Sequence, residues 1–347
     1  MKEKTRLPEI GLGIVLTFVF VASSLQLGGG ARFPKPALDA TALEVKHALT
    51  GDEVDGMMKS LSNWGRWGAD DQLGTLNLIT PKVRKAAAQE VREGVCVSLA
   101  ANVVKVEKPS SSPFRHKMLS TGSSPNASGA SDEYCVAYHG LTQTHVDALC
   151  HRFYKGQMYN AVPQQTVTDE GAEKLSIIVM KNGLFTRGVL MDIPRLLGMN
   201  YLDGKRAIFP EDLDAWERKA GFKVRSGDAL LIRTGSWMRR AKEGDWEPSS
   251  GSAGLHASCL PWLKNRDIAI VGSDFALDCF PSQIEGFGLP VHDVVIVGMG
   301  MHILDNLDLE AISEATQERH RWTFLLTVAP LAVGGGTGSP INPIATF

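Results

Sequence analysis

Residues 210–233, PEDLDAWERKAGFKVRSGDALLIR, join a helix to a strand and so decide the class of fold. Pro210 stands at the first helical position, Leu213 and Trp216 fall on one side, and Gly221 follows as a terminator. The short apolar run Ala229–Arg233 then indicates a buried strand. The segment therefore predicts an α/β unit.

The same alternation extends along the chain in both directions. Further helices are predicted from Thr80-Pro81 to Gly94 and over residues 308–319. Apolar runs rich in β-formers predict strands at residues 97–104, 177–180, 188–191, 268–271, 294–297 and 324–328. Because strands outnumber helices, we expect an α/β or α+β domain around a β-rich core.

The composition limits the classes of function. With 347 residues, 44% hydrophobic and 21% charged, the chain is typical of a globular protein with a substantial core. The net charge of -2 offers no electrostatic footprint for nucleic acid, so no such partner is expected. Five dispersed cysteines without a CxxC pair indicate neither a zinc knuckle nor a dense disulfide framework, although one disulfide after export is possible.

The N-terminus is typical of an export signal. A basic start over residues 1–6 precedes an apolar run over residues 10–25 and a glycine triplet. We expect a periplasmic or secreted protein, the alternative being a membrane anchor formed by the same segment. Residues 1–31 are then the signal or anchor, residues 32–56, with two prolines, a linker, and residues 57–347 the folded domain.

The highest concentration of potential metal-ligand residues lies in Thr144-His145-Val146-Asp147-Ala148-Leu149-Cys150-His151, with His139 just upstream. His145 and Asp147 are two residues apart, so on a strand both point to one face, and His151 follows one turn later. Imidazole and carboxylate ligands suit a divalent ion such as Zn or Mn, and three protein ligands leave a position for water. The alternative is a set of polar residues that hydrogen-bond to backbone at a strand end.

A second group follows in the C-terminal part of the chain. His292 and Asp305 are separated by about one strand and a turn, so both could face a common cleft. His302, between two apolar residues, is interpreted as packing, and Asp274 as either an active-site group or a helix cap. Residues 110–131, rich in Ser, Gly, Pro and Asn, predict a long surface loop that is a substrate entrance or a simple connection.

Through these residues the chain resembles the metal-dependent cyclase superfamily, which includes kynurenine formamidase and isatin hydrolase, and within it a larger branch. The family signature His-x-Gly-Thr-His-x-Asp-x-Pro-x-His is matched at Thr144, His145, Asp147 and His151. The resemblance runs from about Met57 to the C-terminus through the blocks at residues 63–68, 74–77, 187–190, 227–235 and 336–340.

This chain departs from the signature at four positions. Leu141 stands where the family has its first histidine, Gln143 replaces a glycine, Leu149 replaces a proline, and Asp305 corresponds to a later glutamate. One metal ligand is therefore missing from its usual place, and His139 is the candidate to substitute for it.

The resemblance implies a swivelling β/β/α fold and hydrolysis of an amide, lactam or N-formyl amine bond by a metal-activated hydroxide. On this basis His145, Asp147, His151 and His292 bind the metal, with His139 and Asp305 as further candidates. Proton transfer falls to His151, His292 and Asp305. A pocket for an aromatic or cyclic amide would be lined by Trp64, Trp67, Phe153 and Tyr154.

The resemblance also implies a homodimer or homotetramer, in which neighbouring subunits can contribute to the pocket. An exported small-molecule binding protein with impaired catalysis is the alternative function. It is favoured by Leu141 in a ligand position and by the export signal.

Overall fold

The computed structural model describes residues 40–106 and 113–347. The predicted signal or anchor over residues 1–31 lies outside the described residues, as does the first part of the predicted linker. Within the described part, none of the helices is long and apolar enough to cross a membrane.

Helices are distributed along the whole described chain. They are α1 (Ala40–Lys46), α2 (Gly51–Ser60), α3 (Pro81–Ala88), α4 (Ile193–Leu197), α5 (Pro210–Ala220), α6 (Ser236–Glu243), α7 (Leu260–Asn265), α8 (Pro290–His292), which continues into a π-helix (Asp293–Gly298), and α9 (Glu310–Arg319).

The strands are mostly short. They are β1 (Cys96–Ser98), β2 (Arg115–Ser120), β3 (Ser131–Cys135), β4 (His145–Asp147), β5 (Val167–Thr168), β6 (Gly171–Ala172), β7 (Leu184–Asp192), β8 (Ala207–Ile208), β9 (Ala229–Arg233), β10 (Gly254–Leu255), β11 (Ile270–Ser273), β12 (His302–Asp305), β13 (Thr323–Val328), β14 (Gly338–Pro340) and β15 (Ile344–Thr346).

One mixed sheet of nine strands organises the domain, in the order β1-β15-β13-β7-β9-β11-β12-β4-β14. Its centre, β7-β9-β11-β12, is parallel, whereas β13 on one side and β4 on the other pair antiparallel to it. β12 is therefore the boundary between the parallel strands and the antiparallel pair β4 and β14.

The helix-to-strand unit forms as the sequence predicts. α5 begins at Pro210 and ends before Gly221, which takes the left-handed conformation at φ 73°. Trp216 is 1% exposed, and its Nε1 donates to the Leu190 carbonyl of β7 at 2.8 Å. β9 is buried along its whole length, as expected for a central parallel strand.

Two predicted strands are wrong, because they form helical turns. Ile177–Met180 is a 3₁₀ helix, and residues 294–297 lie in the π-helix that follows His292. All four residues of the second run are buried, and the period of a wholly buried apolar run does not distinguish a strand from a helix. The predicted strand at residues 97–104 is shorter in the structure, since pairing with β15 stops at Ser98 and an isolated bridge from Ala100 to Leu307 follows.

The linker prediction is wrong for its second half, because the fold begins before residue 57. The hydroxyl of Thr50 accepts from Glu53 N, and the Glu53 carboxylate accepts from Thr50 N, which forms a capping box for α2. Val54 and Met58, one helical turn apart, are buried in the main core.

The segment predicted as a loop before His139 contains an antiparallel hairpin. β2 and β3 pair over Arg115 to Ser120 and Ser131 to Cys135, and every residue of both strands is exposed. Within this hairpin, the turn over residues 121–130 is without regular structure.

Candidate metal centre

Strand pairing gathers the first three polar groups of the site. β4 lies between β12 and β14 and is fully buried. His145 stands opposite Asp305, and Asp147 stands opposite Ile303. Directly opposed residues of an antiparallel pair share a face, and so do residues two apart on one strand. His145, Asp147 and Asp305 therefore project from the same side of the sheet.

Asp147 is the centre of the cluster. Its Oδ1 lies 3.0 Å from His139 Nδ1 and 3.4 Å from His145 Nε2. Its Oδ2 lies 3.6 Å from His151 Nε2 and 4.0 Å from His292 Nε2. Four imidazoles from separate parts of the backbone thus surround one carboxylate that is 1% exposed.

Asp305 extends the cluster on its buried side. Its Oδ2 lies 3.2 Å from His292 Nε2. Two groups of three residues each place one donor atom per residue within 4.8 Å of the others. The first group is His139, Asp147 and His151, and the second is His145, Asp147 and Asp305, so both contain Asp147. The structure thus brings together all six residues that the sequence nominated as ligands or acid-base groups.

Several donor atoms in this cluster lack the partners that buried polar atoms require. Among the described residues, Asp147 Oδ1, Asp305 Oδ1 and His139 Nδ1 are buried without a hydrogen bond, although the first and third atoms lie 3.0 Å apart. Leaving such an atom unsatisfied costs about 1–3 kcal/mol, and more if it is charged. A divalent cation held by either group would bind Asp147, together with His139 in the first group or Asp305 in the second, and the nitrogen and oxygen donors suit Zn or Mn.

Outer hydrogen bonds fix which ring nitrogen faces the cluster. His145 Nδ1 donates to the carbonyl of Gln143 at 2.8 Å, which leaves its Nε2 toward Asp147. His139 Nε2 lies 2.9 Å from Thr337 Oγ1, which leaves Nδ1 toward Asp147. Ligating histidines in metalloproteins are held in this way.

His292 is held by a residue that the sequence did not reveal. Asp278 is 1% exposed, and its Oδ2 accepts from His292 Nδ1 at 2.6 Å. The same carboxylate accepts from the backbone of Val291 and His292, at 2.7 and 3.1 Å. Asp278 lies in an isolated bridge with Leu255, outside the helices and strands and fourteen residues before His292, so no periodicity in the sequence indicated it.

Replacing Asp278 with asparagine is expected to weaken metal binding about 10- to 100-fold, the usual effect of losing an outer partner. The amide cannot both accept the ring proton and satisfy two backbone donors, so His292 loses its orientation. Titration of the metal-free protein with Zn²⁺ measures the effect. Asp274→Asn is the matched control, because Asp274 is equally buried but caps the start of α6. Equal affinities of the two variants would contradict the assignment.

The pKa of His151 is shifted in the opposite direction from that of His292. Burial opposes a charged ring at His292, but Asp305 and Asp278 outweigh it and raise the pKa of His292 well above its ordinary value. Burial lowers the pKa of His151 to about 4, helped by His139 and His292, so this ring is neutral at pH 7. Burial alone would raise the pKa of Asp147, but the surrounding histidines lower it well below its usual range.

Two of the four imidazoles of the cluster are partly exposed. The side chains of His139 and His151 are 29% and 26% exposed, and their rings stack with centroids 3.9 Å apart. His145 and His292 lie at 2% and 3% exposure. A small molecule would therefore reach the cluster past the two stacked rings.

The four predicted aromatic contacts occupy different surroundings. Trp64 Nε1 donates to Val297 O of the π-helix at 2.7 Å, and Trp67 stacks against Arg66. The Tyr154 hydroxyl donates to Asp55, while Phe153, two residues after His151, is 43% exposed. Trp64 and Tyr154 thus have polar contacts within the described fold, and Phe153 has the exposure that a substrate contact needs.

Other residues singled out from sequence take structural positions. His302 is fully buried and, three residues before Asp305 on β12, points to the other face of the sheet. Asp274 accepts backbone hydrogen bonds from Gly235 and Ser236 and so acts as the cap. Cys150 is buried, which raises the pKa of its thiol to about 12 and argues against a nucleophilic role.

The mixed sheet with a buried cluster of imidazoles and carboxylates on one face defines an α/β protein with a candidate divalent-cation site. Residues 78–278 match the model of the family described as "Putative cyclase". A crystal structure described as that of a novel cyclase is 32% identical, covers 83% of this chain and 98% of that chain, and gives a TM-score of 0.75. The chain belongs to this cyclase family, which confirms the resemblance and the fold class inferred from sequence.

Isatin hydrolases share the fold at lower identity. Isatin hydrolase A from Labrenzia aggregata, bound to benzyl benzoate, is 21% identical over 76% of this chain and 96% of that chain, with a TM-score of 0.53. Isatin hydrolase A from Ralstonia solanacearum is 18% identical over 77% and 97%, with a TM-score of 0.51. Among the curated proteins, none matches this sequence.

Proposed function

We propose that this protein is a metal-dependent hydrolase that cleaves an amide, lactam or N-formyl amine bond in a small aromatic or cyclic substrate. The observation that carries the proposal is the convergence of four imidazoles on Asp147, with buried donor atoms left without partners. Membership of the cyclase family and the shared fold with isatin hydrolases support the same class of reaction.

Five residues would hold the ion. His145, Asp147, His292 and Asp305 supply buried donors, and the partly exposed His139 supplies another. A bound divalent ion such as Zn²⁺ or Mn²⁺ would polarise the substrate carbonyl and lower the pKa of a water molecule. The outer partners Gln143 O and Asp278 keep His145 and His292 oriented while substrates enter and products leave.

His151 is the proton-transfer group in this proposal. Within the described part of the chain its ring makes no outer hydrogen bond, it is partly exposed, and it is neutral at pH 7. A neutral imidazole can accept the proton of the attacking water and return it to the leaving nitrogen. Phe153, exposed two residues later, would contact an aromatic ring.

The test combines metal content with a substrate panel. We expect purified protein to carry about one or two divalent ions per chain and to hydrolyse at least one of isatin, an N-formyl aromatic amine and a second lactam. Chelation should lower the rate at least about 100-fold, and Zn²⁺ or Mn²⁺ should restore it.

Two outcomes would contradict the proposal. Full activity after complete removal of metal would exclude the metal-dependent reaction. Tight retention of panel compounds without turnover, in protein loaded with metal, would favour the alternative of a binding protein on the same fold.

A further inference from the structure

The loop between His139 and His145 carries the main departure of this chain from its family. Leu141 stands in the position of the family's first histidine, and its side chain has no atom that could bind a metal ion. His139, two residues earlier, nevertheless places Nδ1 3.0 Å from Asp147 Oδ1. Because the loop is not a strand at this point, strand periodicity does not explain how His139 reaches the cluster.

Asn306 spans both ends of this loop. Its side-chain Nδ2 donates to Gly140 O at 2.7 Å and to Gln143 O at 3.3 Å. Its backbone carbonyl accepts from Thr144 Oγ1 at 2.7 Å. Asn306 is 1% exposed, so these bonds are shielded from competing water.

These contacts lead directly to metal-site residues. Gly140 follows His139 in the chain, and Gln143 O is also the acceptor that orients His145 Nδ1. Asn306 itself follows Asp305 and adopts the left-handed conformation at φ 53°. Asparagine is among the few residues other than glycine that take this conformation readily. The bend turns the Asn306 amide away from β12 and toward the loop.

The ring of His139 is fixed at its two remaining sides. Thr337 Oγ1 holds Nε2 at 2.9 Å, and His151 stacks on the ring face at 3.9 Å. The Gly140 carbonyl, which accepts from the Asn306 amide, belongs to the residue directly after His139.

We propose that His139 is the metal ligand that replaces the family's missing histidine, and that Asn306 is the positioning residue that presents it. The proposal rests on the proposed function only in assuming that the cluster binds a divalent ion. Of the two hydrogen bonds from the Asn306 amide, the one to Gly140 O is the shorter. Because Gly140 directly follows His139, Asn306 acts chiefly through His139.

The experiment measures Co²⁺ and Zn²⁺ binding to the full chain without substrate. The variants are Asn306→Gly, which keeps the left-handed backbone but removes the amide, His139→Ala and the double variant. His320→Gly is the matched control, because His320 is also left-handed, at φ 48°, but ends α9 away from the cluster. Thermal unfolding without metal shows that each variant folds.

Asn306→Gly is expected to weaken binding about 10- to 100-fold, as the loss of an outer partner does elsewhere. The visible Co²⁺ spectrum of Asn306→Gly should shift toward that of His139→Ala, while His320→Gly keeps the spectrum of the unchanged protein. In the His139→Ala background, Asn306→Gly should lower the metal affinity by no more than about threefold, because the effects of two coupled substitutions are not additive.

Additive losses in the double variant would overturn the positioning role, and unchanged Co²⁺ binding in His139→Ala would overturn the ligand role. The proposed function fails separately, if protein with bound metal hydrolyses nothing in the panel. Normal hydrolysis together with normal metal binding by Asn306→Gly would refute this inference alone.

Discussion

Replacing Asp147 with asparagine is expected to remove metal binding and, with it, hydrolysis. Asp147 is the only described residue that lies close to all four histidines of the cluster, and each carboxylate oxygen faces two of them. An amide has no charge to offset a dication, and its NH₂ group would face two imidazole nitrogens. The loss in metal affinity should exceed about 100-fold, since even outer partners are worth 10- to 100-fold.

Calorimetric titration of the metal-free variant with Zn²⁺ or Mn²⁺ measures this loss. Circular dichroism and thermal unfolding in chelator show whether the variant folds as the unchanged protein does. Asp274→Asn serves again as control, because it removes an equally buried carboxylate that caps a helix and contacts none of the cluster histidines. An Asp147→Asn protein that retains stoichiometric metal would disprove the central position of Asp147.

Replacing His151 with glutamine is expected to separate catalysis from metal binding. Glutamine retains much of the volume but cannot shuttle a proton at neutral pH. Removing a proton-transfer group typically costs about 10²- to 10⁴-fold in rate, so kcat should fall by that factor. Metal affinity should change by less than about threefold, because five other donors remain.

Parallel measurement of kcat and metal content decides between the two possible roles of His151. It belongs to one of the two donor groups around Asp147, so a ligand role is the direct competitor. If His151→Gln loses its metal together with its activity, His151 is a ligand. His116→Gln is a suitable control, because His116 pairs with Asp132 on the exposed hairpin.

The sequence was sufficient for the parts of the site that regular structure positions. The spacing of His145 and Asp147 placed both on one face, and the register of β4 against β12 brings Asp305 opposite His145. The roles of Asp278 and Asn306 could not be predicted, because both residues lie outside the helices and strands. Their partners are fixed by tertiary contacts, for which a single sequence carries no periodic signal.

In the fold, too, the elements set by local sequence features were predictable and those set by tertiary contacts were not. α5 and β9 follow from an N-terminal proline, a terminating glycine and a compact apolar run, all of which are local features. The π-helix after His292 does not, because its apolar residues are buried on every side. π-Helical turns are frequent at functional sites, and this one begins immediately after a candidate ligand.

The position of β12 at the boundary between parallel and antiparallel strands ties the supply of metal to the lifetime of the protein. An ion held by His145, Asp147 and Asp305 would join chain segments far apart in sequence, across that boundary. A ligand that binds only the folded form stabilises it by mass action. Cells or compartments poor in the ion would therefore hold a larger unfolded fraction, which proteases remove. The abundance of the protein, as well as its activity, would then report on metal availability.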